Sequence, residues 1–277
     1  MSSSGRPTTA ASVAIPGVVF DHIAFGVPSI DATPAFIAGR LGGRPYARGP
    51  GIGFVWKQWR FAEGGVLEVL EPSGPPGGFL HRFLDRRGPG IHHVTFKVPD
   101  IRAAMERAQA RRYDVVGYDD SFPGWKECFL HPKQAQGIVV QLAESDPAFD
   151  DGAEIVTSFG PGDVDPGPAV KVIGLRVTAR SARAARLQWG ELLGGSCAEA
   201  NGALHFHWPD SPMRIAVVPD PEREEGPLCV EVTSDHPLDL LPGPEPLLGA
   251  EFRVVSDDSL DRSSRRREGR RRGRNTA

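Results

Sequence analysis

The sequence predicts an α+β protein built from paired βαβββ modules, and two observations carry that prediction. The first is a repeated strand, because Phe20–Ile30 (FDHIAFGVPSI) and Gly90–Asp100 (GIHHVTFKVPD) superpose without a gap through their shared Val-Pro. Apolar residues alternate in both copies, as is typical of a strand with one buried face. The second observation is that a predicted helix and further strands follow each copy. The chain therefore repeats one supersecondary unit.

Local signals divide the modules into elements. In the first module, which runs from Val18 to about Pro72, Thr33 is expected to cap a short helix that begins at Pro34. In the second module, Asp100 is expected to cap a helix with apolar residues at helical spacing. The predicted strands are Val18–Val27, Gly53–Phe61, Val66–Leu70, Tyr113–Val116, Trp125–Leu130 and Gly137–Leu142, with the repeated strand at Gly90–Asp100 opening the second module.

Four side chains able to bind a metal occupy matched places in the two modules. His22 and His93 lie 71 positions apart on the repeated strands. Glu68 follows His22 by 46 residues and Gln141 follows His93 by 48, each in the last strand of its module. Glu68 lies between apolar neighbours, where a lone carboxylate is costly to bury. We therefore predict that the four side chains converge on one face of the sheet.

This residue set indicates a particular chemistry. Two imidazoles, one carboxylate and one amide suit a borderline divalent ion such as Zn, Co, Ni, Mn or Fe(II). Such an ion polarises a carbonyl and stabilises the enolate that forms when a neighbouring C–H is deprotonated. The predicted base is Glu68, after leaving the metal, or Glu127, reaching in from its own strand.

In order along the chain, the residues DH…E…HH…HPK…GIVVQL resemble the vicinal oxygen chelate superfamily, the group of glyoxalase I and methylmalonyl-CoA epimerase. The resemblance covers residues 18–145, the predicted metal-binding domain. It implies a cupped mixed sheet around one divalent metal, with His22, Glu68, His93 and Gln141 as the ligands. Two features depart from the family: Gln141 stands where a Glu is usual, and Gly51–Phe61 holds no carboxylate where the epimerases can carry a general-base Glu.

Three functions remain open from the sequence. The leading hypothesis is a metal-dependent lyase or isomerase of the glyoxalase/epimerase type, acting next to a carbonyl on a small acid, thioester or conjugate. The second is a non-haem iron dioxygenase of the extradiol kind, although that family draws its carboxylate from the strand that holds Gln141. The third is a non-catalytic protein that sequesters a small molecule, as resistance proteins of this fold do. The expected partner is a small-molecule substrate, and a homodimer is an open alternative.

Composition divides the remainder of the chain. Residues 146–168 are rich in Asp, Gly and Pro and are predicted to be a linker. Residues 169–255 restart the module pattern, with Val172 expected in place of His22 and Ile215 in place of Glu68. We therefore predict a degenerate glyoxalase-like half without a metal site. His205 and His207, two apart on one strand, are a weaker metal candidate because no acid partner accompanies them.

Charge and composition bound the remaining possibilities. Residues 262–274 hold eight arginines and one acid, whereas the whole chain has a net charge of −3. We predict a disordered leader at residues 1–17 and a basic disordered tail at residues 256–277. The tail alone would attract nucleic acid, so a nucleic-acid function is not expected. No segment approaches the ~20 apolar residues of a membrane span, and the three unpatterned cysteines fit a reducing cytoplasm.

Overall fold

A computed structural model of the chain describes residues 15–146 and 156–256, which form two curled, mixed β-sheets. The predicted leader and basic tail fall almost entirely outside the described residues, as does the part of the linker at 147–155. No helix in the described ranges is both long enough and apolar enough to cross a membrane.

The first sheet contains eight strands, which pair as two copies of one module. They are β1 (Val19–Gly26), β2 (Arg44–Gly51), β3 (Phe54–Arg60), β4 (Val66–Pro72), β5 (Gly90–Lys97), β6 (Val115–Asp119), β7 (Trp125–Leu130) and β8 (Val139–Ser145). Their spatial order is β2-β3-β4-β1-β5-β8-β7-β6. Each module pairs its first and last strands in parallel, and β1 meets β5 antiparallel at the centre. The predicted pair of βαβββ modules is therefore confirmed.

Four helical segments accompany this sheet in the described residues, the first of them a single 3₁₀ turn at Ile30–Ala32. A short π-helix (Ala35–Arg40) follows β1, α1 (Phe79–Arg87) joins the two modules, and α2 (Ile101–Ala110) follows β5. The predicted cap of α2 is confirmed, because the Asp100 carboxylate accepts a hydrogen bond from the backbone N–H of Ala103 at 3.0 Å. The predicted Thr33 cap is wrong, because its hydroxyl donates to the Ile30 carbonyl instead.

Two elements of the first sheet were not predicted. Strand β2 contains Pro45 and Pro50, which oppose a strand assignment because proline donates no ladder hydrogen bond. The strand lies at the edge of the sheet, where one side of the backbone needs no partner strand, so proline is tolerated. Helix α1 covers a stretch that the sequence left unassigned, and it packs Leu80 against Ala24 and Leu70 on the face of the sheet that carries the candidate site.

The second sheet contains a complete third module and part of a fourth. Its strands are β9 (Lys171–Ala179), β10 (Ser196–Ala200), β11 (Ala203–His207), β12 (Arg214–Pro219), β13 (Gly226–Thr233), β14 (Pro244–Glu245) and β15 (Ala250–Val254). The spatial order is β10-β11-β12-β9-β13-β15-β14. Helix α3 (Ala182–Ala185) is capped by Ser181, whose hydroxyl oxygen accepts a hydrogen bond from the backbone N–H of Ala184, and it continues into a π-helix at Arg186–Leu192. The fourth module consists of the three strands β13, β14 and β15, and it has no helix within the described residues.

A bulge in the first strand of each sheet corrects one predicted equivalence. The pairing register skips one residue between Phe20 and His22 in β1, and one residue between Val172 and Gly174 in β9. Val172 therefore matches Phe20, and Gly174 matches His22. The expectation that Val172 replaces His22 is wrong, because a sequence alignment alone does not show where the bulge falls.

The equivalence proposed for Glu68 is wrong by one position. Glu68 lies opposite Ala24 in the parallel pair of β1 and β4. The matching pair in the second sheet joins Arg176 to Ala216, so Ala216 takes the place of Glu68 and Ile215 faces the core. Gly174 and Ala216 offer no side-chain ligand atom, and neither do Val172 and Ile215, which were expected at these positions.

One continuous hydrophobic core takes side chains from both sheets and from their helices. Phe20 and Phe96 of the first sheet contact Trp208 of the second, with ring centroids 6.0 Å and 4.7 Å away. Phe25 stacks on Phe252 at 6.0 Å. Because side chains alternate along a strand, the opposite face of each sheet looks away from this shared core. The candidate site lies on such an outer face.

Gly137 lies where the chain of the first sheet makes a close backbone contact with the chain of the second sheet. Its φ is +76°, and a Cβ atom there would lie 2.1 Å from the carbonyl oxygen of Glu225. Gly137→Ala combines left-handed strain with a backbone collision, so we expect the free energy of unfolding to fall by about 3 kcal/mol in urea denaturation. Gly74→Ala is the control, because Gly74 has a φ of +79° and open space around it, and should cost about 1 kcal/mol. Equal losses would contradict the collision.

Candidate metal centre

His22 is held in one orientation by a carboxylate beside it. The side chain projects from β1 and is 2% exposed. Its Nδ1 lies 2.7 Å from a carboxylate oxygen of Asp21, and its Nε2 lies 3.5 Å from Oε1 of Glu68. A carboxylate that accepts a hydrogen bond from one imidazole nitrogen fixes the tautomer and leaves the other nitrogen to face a metal.

Glu68 and His93 complete a compact group of ligand atoms. Oε1 of Glu68 lies 3.9 Å from Nε2 of His93, while Gln58 donates to Oε2 of Glu68 at 2.8 Å. Among the residues that the structure describes, Nε2 of His93 is buried and has no hydrogen-bond partner. His22, Glu68 and His93 each direct one ligand atom into a region in which these atoms lie within 4.8 Å of one another.

Gln141 lies beside the histidines through a bridging hydroxyl. Thr95 Oγ1 lies 2.9 Å from Nε2 of His22 and donates to Oε1 of Gln141 at 2.5 Å. The Gln141 amide in turn donates to Oε2 of Glu127 at 2.6 Å, and the Trp125 indole donates to the same oxygen at 2.9 Å. The structure therefore brings all four predicted ligands and Glu127 into one network.

His92, the other member of the histidine pair, faces an apolar wall. Its ring packs 5.4 Å from the ring of Phe79 and 4.9 Å from that of Phe83. Burial lowers the pKa of His92 to about 4, against the opposing attraction of Glu68. The wall continues over the outer face of the sheet through a small apolar cluster: Ala24, Leu70 and Leu80, with Phe54, Trp56, Phe83 and Leu84 packed around them. The site therefore has a charged side and an apolar side.

Burial and neighbouring charges set the protonation of the site. Burial lowers the pKa of His22, but the carboxylates of Glu68 and Asp21 outweigh it and raise the pKa to about 10. Burial, with repulsion from the two neighbouring histidines, holds the pKa of His93 well below its ordinary value. Burial also raises the pKa of Glu127, although hydrogen bonds from Trp125 and Gln141 oppose this.

This donor set fits a divalent ion. Two imidazoles and one carboxylate, with the amide oxygen of Gln141 beside them, are ligands that borderline ions prefer. A buried imidazole nitrogen without a partner is costly unless something binds it. The other histidine pair does not fit, because His205 and His207 belong to no cluster of three or more potential ligands in the described ranges.

Asp21 and Thr95 are functional candidates that the sequence reasoning missed. Asp21 precedes His22 directly, and an acid next to a candidate ligand is a signal for a partner that orients it. Thr95 follows His93 by two residues and so shares its face of β5, but a threonine in a strand is too common to stand out.

Comparison with known proteins identifies the class that the first sheet resembles. Residues 21–129 match the family described as the Glyoxalase/Bleomycin resistance protein/Dioxygenase superfamily. The first sheet therefore resembles a domain of this superfamily, the vicinal oxygen chelate group, and the predicted resemblance is confirmed.

Curated relatives narrow the class further. The ethylmalonyl-CoA/methylmalonyl-CoA epimerase of Cereibacter sphaeroides is 29% identical over 131 residues, which are 45% of this chain and 96% of that protein. The mitochondrial methylmalonyl-CoA epimerase of Homo sapiens is 25% identical over 131 residues, 45% of this chain and 73% of that protein. These similarities support an enzyme of the isomerase kind.

One solved structure resembles most of the chain. A hypothetical protein from Staphylococcus aureus matches 86% of this chain and 99% of its own, with a TM-score of 0.54 and 12% sequence identity. At that identity the likeness concerns the fold alone. It extends over more than the 45% of the chain that aligns with the epimerases, so the two-sheet arrangement has a precedent.

Proposed function

We propose that the first sheet binds one divalent metal through His22, Glu68, His93 and Gln141 and catalyses epimerisation next to the thioester carbonyl of a branched acyl-CoA. The observation that carries the proposal is the buried convergence of the first three side chains, with Nε2 of His93 unpartnered among the described residues. The substrate class follows from the similarity to epimerases of ethylmalonyl-CoA and methylmalonyl-CoA.

A divalent ion held by these residues supplies Lewis acidity, which makes a C–H next to a carbonyl easier to deprotonate. Protein groups prepare the ligands for it. Asp21 accepts from Nδ1 of His22, and Gln58 donates to Oε2 of Glu68, which leaves Nε2 and Oε1 facing each other at 3.5 Å. The ligands are therefore oriented before the ion binds.

Inversion of a carbon centre requires that a proton leave one face and that a proton return to the other. Glu68 on β4 and Glu127 on β7 lie on opposite sides of the central β1–β5 pair in the strand order. Oε2 of Glu127 is held by Trp125 and Gln141, so Oε1 is the atom that would carry a proton. The raised pKa of Glu127 suits a group that must both take and give a proton near neutral pH.

The apolar wall gives the alkyl part of a substrate a place next to the ligands. Glu68 and Leu70 lie on the same face of β4, opposite Gln58 and Trp56 of β3. A short branched acyl chain bound against Leu70 and Trp56 would exclude water from the carbon that loses its proton.

The test couples metal binding to proton exchange. Metal-free protein is titrated calorimetrically with Co, Zn, Mn and Ni, and the loaded protein is incubated with methylmalonyl-CoA in D₂O. We expect one tight site per chain and deuterium at the α-carbon, and His93→Ala should remove both. His207→Ala is the matched control and should change neither. Stoichiometric metal without exchange on methylmalonyl-CoA or ethylmalonyl-CoA would contradict the epimerase proposal.

Glu127→Gln separates the proposed proton carrier from the ligands. The glutamine keeps the size of the side chain but cannot carry a proton, so we expect metal affinity to change less than threefold while the exchange rate falls by about 10²–10⁴-fold. Isotope exchange followed by mass spectrometry, with metal content measured on the same sample, checks this. A variant that retains the full exchange rate would leave Glu127 without a catalytic role.

A second candidate function rests on the ligand set itself. Two histidines and one carboxylate are also the set used by non-haem iron oxygenases. His22, His93 and Glu68 supply that set here, with the carboxylate in the first module. Oxygen consumption by the Fe(II)-loaded protein in the presence of a catechol distinguishes this candidate from the epimerase.

A further inference from the structure

The outer face of the second sheet carries a polar cluster where the first sheet carries its candidate ligands. Gly174, which matches His22, pairs with Arg214 on one side and with Glu231 on the other. The residues that share this face form a set that we name the arginine cup: Arg176, His205, His207, Arg214, Glu231 and Arg253.

Two arginines bind the central carboxylate of the arginine cup. Arg214 donates to Oε2 of Glu231 at 2.9 Å, and Arg176 donates to Oε1 through Nε at 2.7 Å, with its Nη2 2.6 Å from the same oxygen. Arg214 is 2% exposed and Glu231 is fully buried. Both oxygens of the carboxylate are therefore occupied, and the remaining donors of the guanidinium groups have to find other acceptors.

Two buried nitrogen atoms of the cup, the donor Nε of Arg214 and the acceptor Nδ1 of His205, lack a partner in the part of the chain that the structure describes. His205 is 5% exposed, and its other nitrogen lies 3.4 Å from the Ala200 carbonyl oxygen. An unpaired buried guanidinium N–H is costly, because it loses its hydration without gaining a bond.

The charges of the cup do not cancel. Arg176, Arg214 and Arg253 contribute three positive charges, and Glu231 with Glu251, which binds Arg253 at 2.8 Å, contributes two negative ones. Burial, aided by Arg214, holds the pKa of both histidines below the ordinary value, so they add no charge near neutral pH. One positive charge is left over on this face of the sheet.

The cup is also open to solvent on one side. The side chain of Arg176 is 20% exposed and that of Arg253 is 50% exposed. A small anion can therefore reach the guanidinium groups of Arg176 and Arg253 from solvent.

We propose that the arginine cup binds a small organic carboxylate. A planar carboxylate matches the fork of a guanidinium group, and one negative charge would balance the surplus. It would also supply the acceptor that the buried Nε–H of Arg214 lacks among the described residues. A purely structural ion pair explains these features less well, because a buried pair of this kind gains little over apolar residues and gives no reason for an unpaired donor.

The experiment titrates the full chain, labelled with ¹⁵N-arginine, with sodium propionate at constant ionic strength and follows the Nε–Hε resonances by NMR. We expect saturable shifts in the resonance of Arg214, assigned by its loss in the double variant Arg214→Met/Glu231→Gln. The double variant removes one positive and one negative charge together, so its net charge is unchanged. Propionate affinity, read from the Arg176 resonance, should fall about tenfold or more in it. Arg183→Gln, an exposed arginine of α3, is the control and should bind as the parent does.

Inorganic phosphate is the second arm of the titration. Tighter binding of phosphate than of propionate would overturn the assignment to carboxylates. Shifts that rise linearly without saturation, or equal affinity in the parent and the double variant, would overturn the site. Neither readout involves the first sheet or its metal, so failure of the epimerase proposal would leave this test intact.

Discussion

Replacement of Glu68 by glutamine is expected to lower divalent-metal affinity about 100-fold and to lower turnover further than the lost metal explains. The change leaves two imidazoles and two amides, so the site loses the only charged ligand among the four proposed. It also removes one of the two carboxylates available to carry a proton. The side chain keeps its size and its hydrogen-bonding neighbour Gln58, so the sheet should fold unchanged. Metal content by elemental analysis and the exchange rate on the same sample measure both effects.

The matched control is the double variant Glu68→Gln/Gln141→Glu, which restores the ligand charge by moving the carboxylate from position 68 to position 141. We expect it to recover most of the metal affinity. Its exchange rate should stay low, because the new carboxylate replaces an amide that donates to Glu127 at 2.6 Å and would repel that group instead. If Glu68→Gln alone keeps full metal and full turnover, neither the ligand role nor the proton-carrier role of Glu68 survives.

Glu231→Gln is expected to lower the free energy of unfolding by about 3–5 kcal/mol. The variant leaves the guanidinium of Arg214 buried without the charge that it faces at 2.9 Å. Urea denaturation of the parent and the variant measures the loss. The double variant Arg214→Met/Glu231→Gln should lose less than half as much, because it removes both members of the pair. Equal losses in the single and double variants would show that packing, not charge, is responsible.

The same carboxylate gives stability a definite pH dependence. Burial raises the pKa of Glu231, but Arg214 and Arg176 outweigh it and hold the pKa below the ordinary 4.5. A group with a lowered folded-state pKa stabilises the protein fully above its unfolded pKa. The contribution of Glu231 should therefore be present above about pH 4.5 and be lost as the pH falls further. Glu231→Gln should show a flatter stability profile below that pH.

The proximity of the candidate ligands was predictable because two simple periodicities agree. Alternation along a strand assigns His22 and His93 to a face, and the repeat gives Glu68 and Gln141 equivalent strands. Neither argument requires knowledge of the surrounding residues. The fold follows from the same repeat, because each module can bury its apolar face only against another element.

The missed features depend on contacts that no local pattern records. Strand β2 forms in spite of Pro45 and Pro50 because its neighbour β3 supplies the pairing. The position that matches His22 was misassigned by two residues, and the position that matches Glu68 by one. The bulge in β9 is set by its partner strands, and the sequence of β9 alone does not show it. The bridge from Thr95 to Gln141 joins residues 46 positions apart, and only the register of β5 against β8 brings them together.

The core shared by the two sheets couples the stability of the candidate metal centre to that of the arginine cup. Phe20, Phe96 and Trp208 pack across the boundary, so neither sheet can open without exposing aromatic surface of its neighbour. A ligand that binds only the folded chain raises the free energy of that opening for the whole molecule. A ligand bound on the outer face of one sheet should therefore also lower the equilibrium population of opened states of the other sheet.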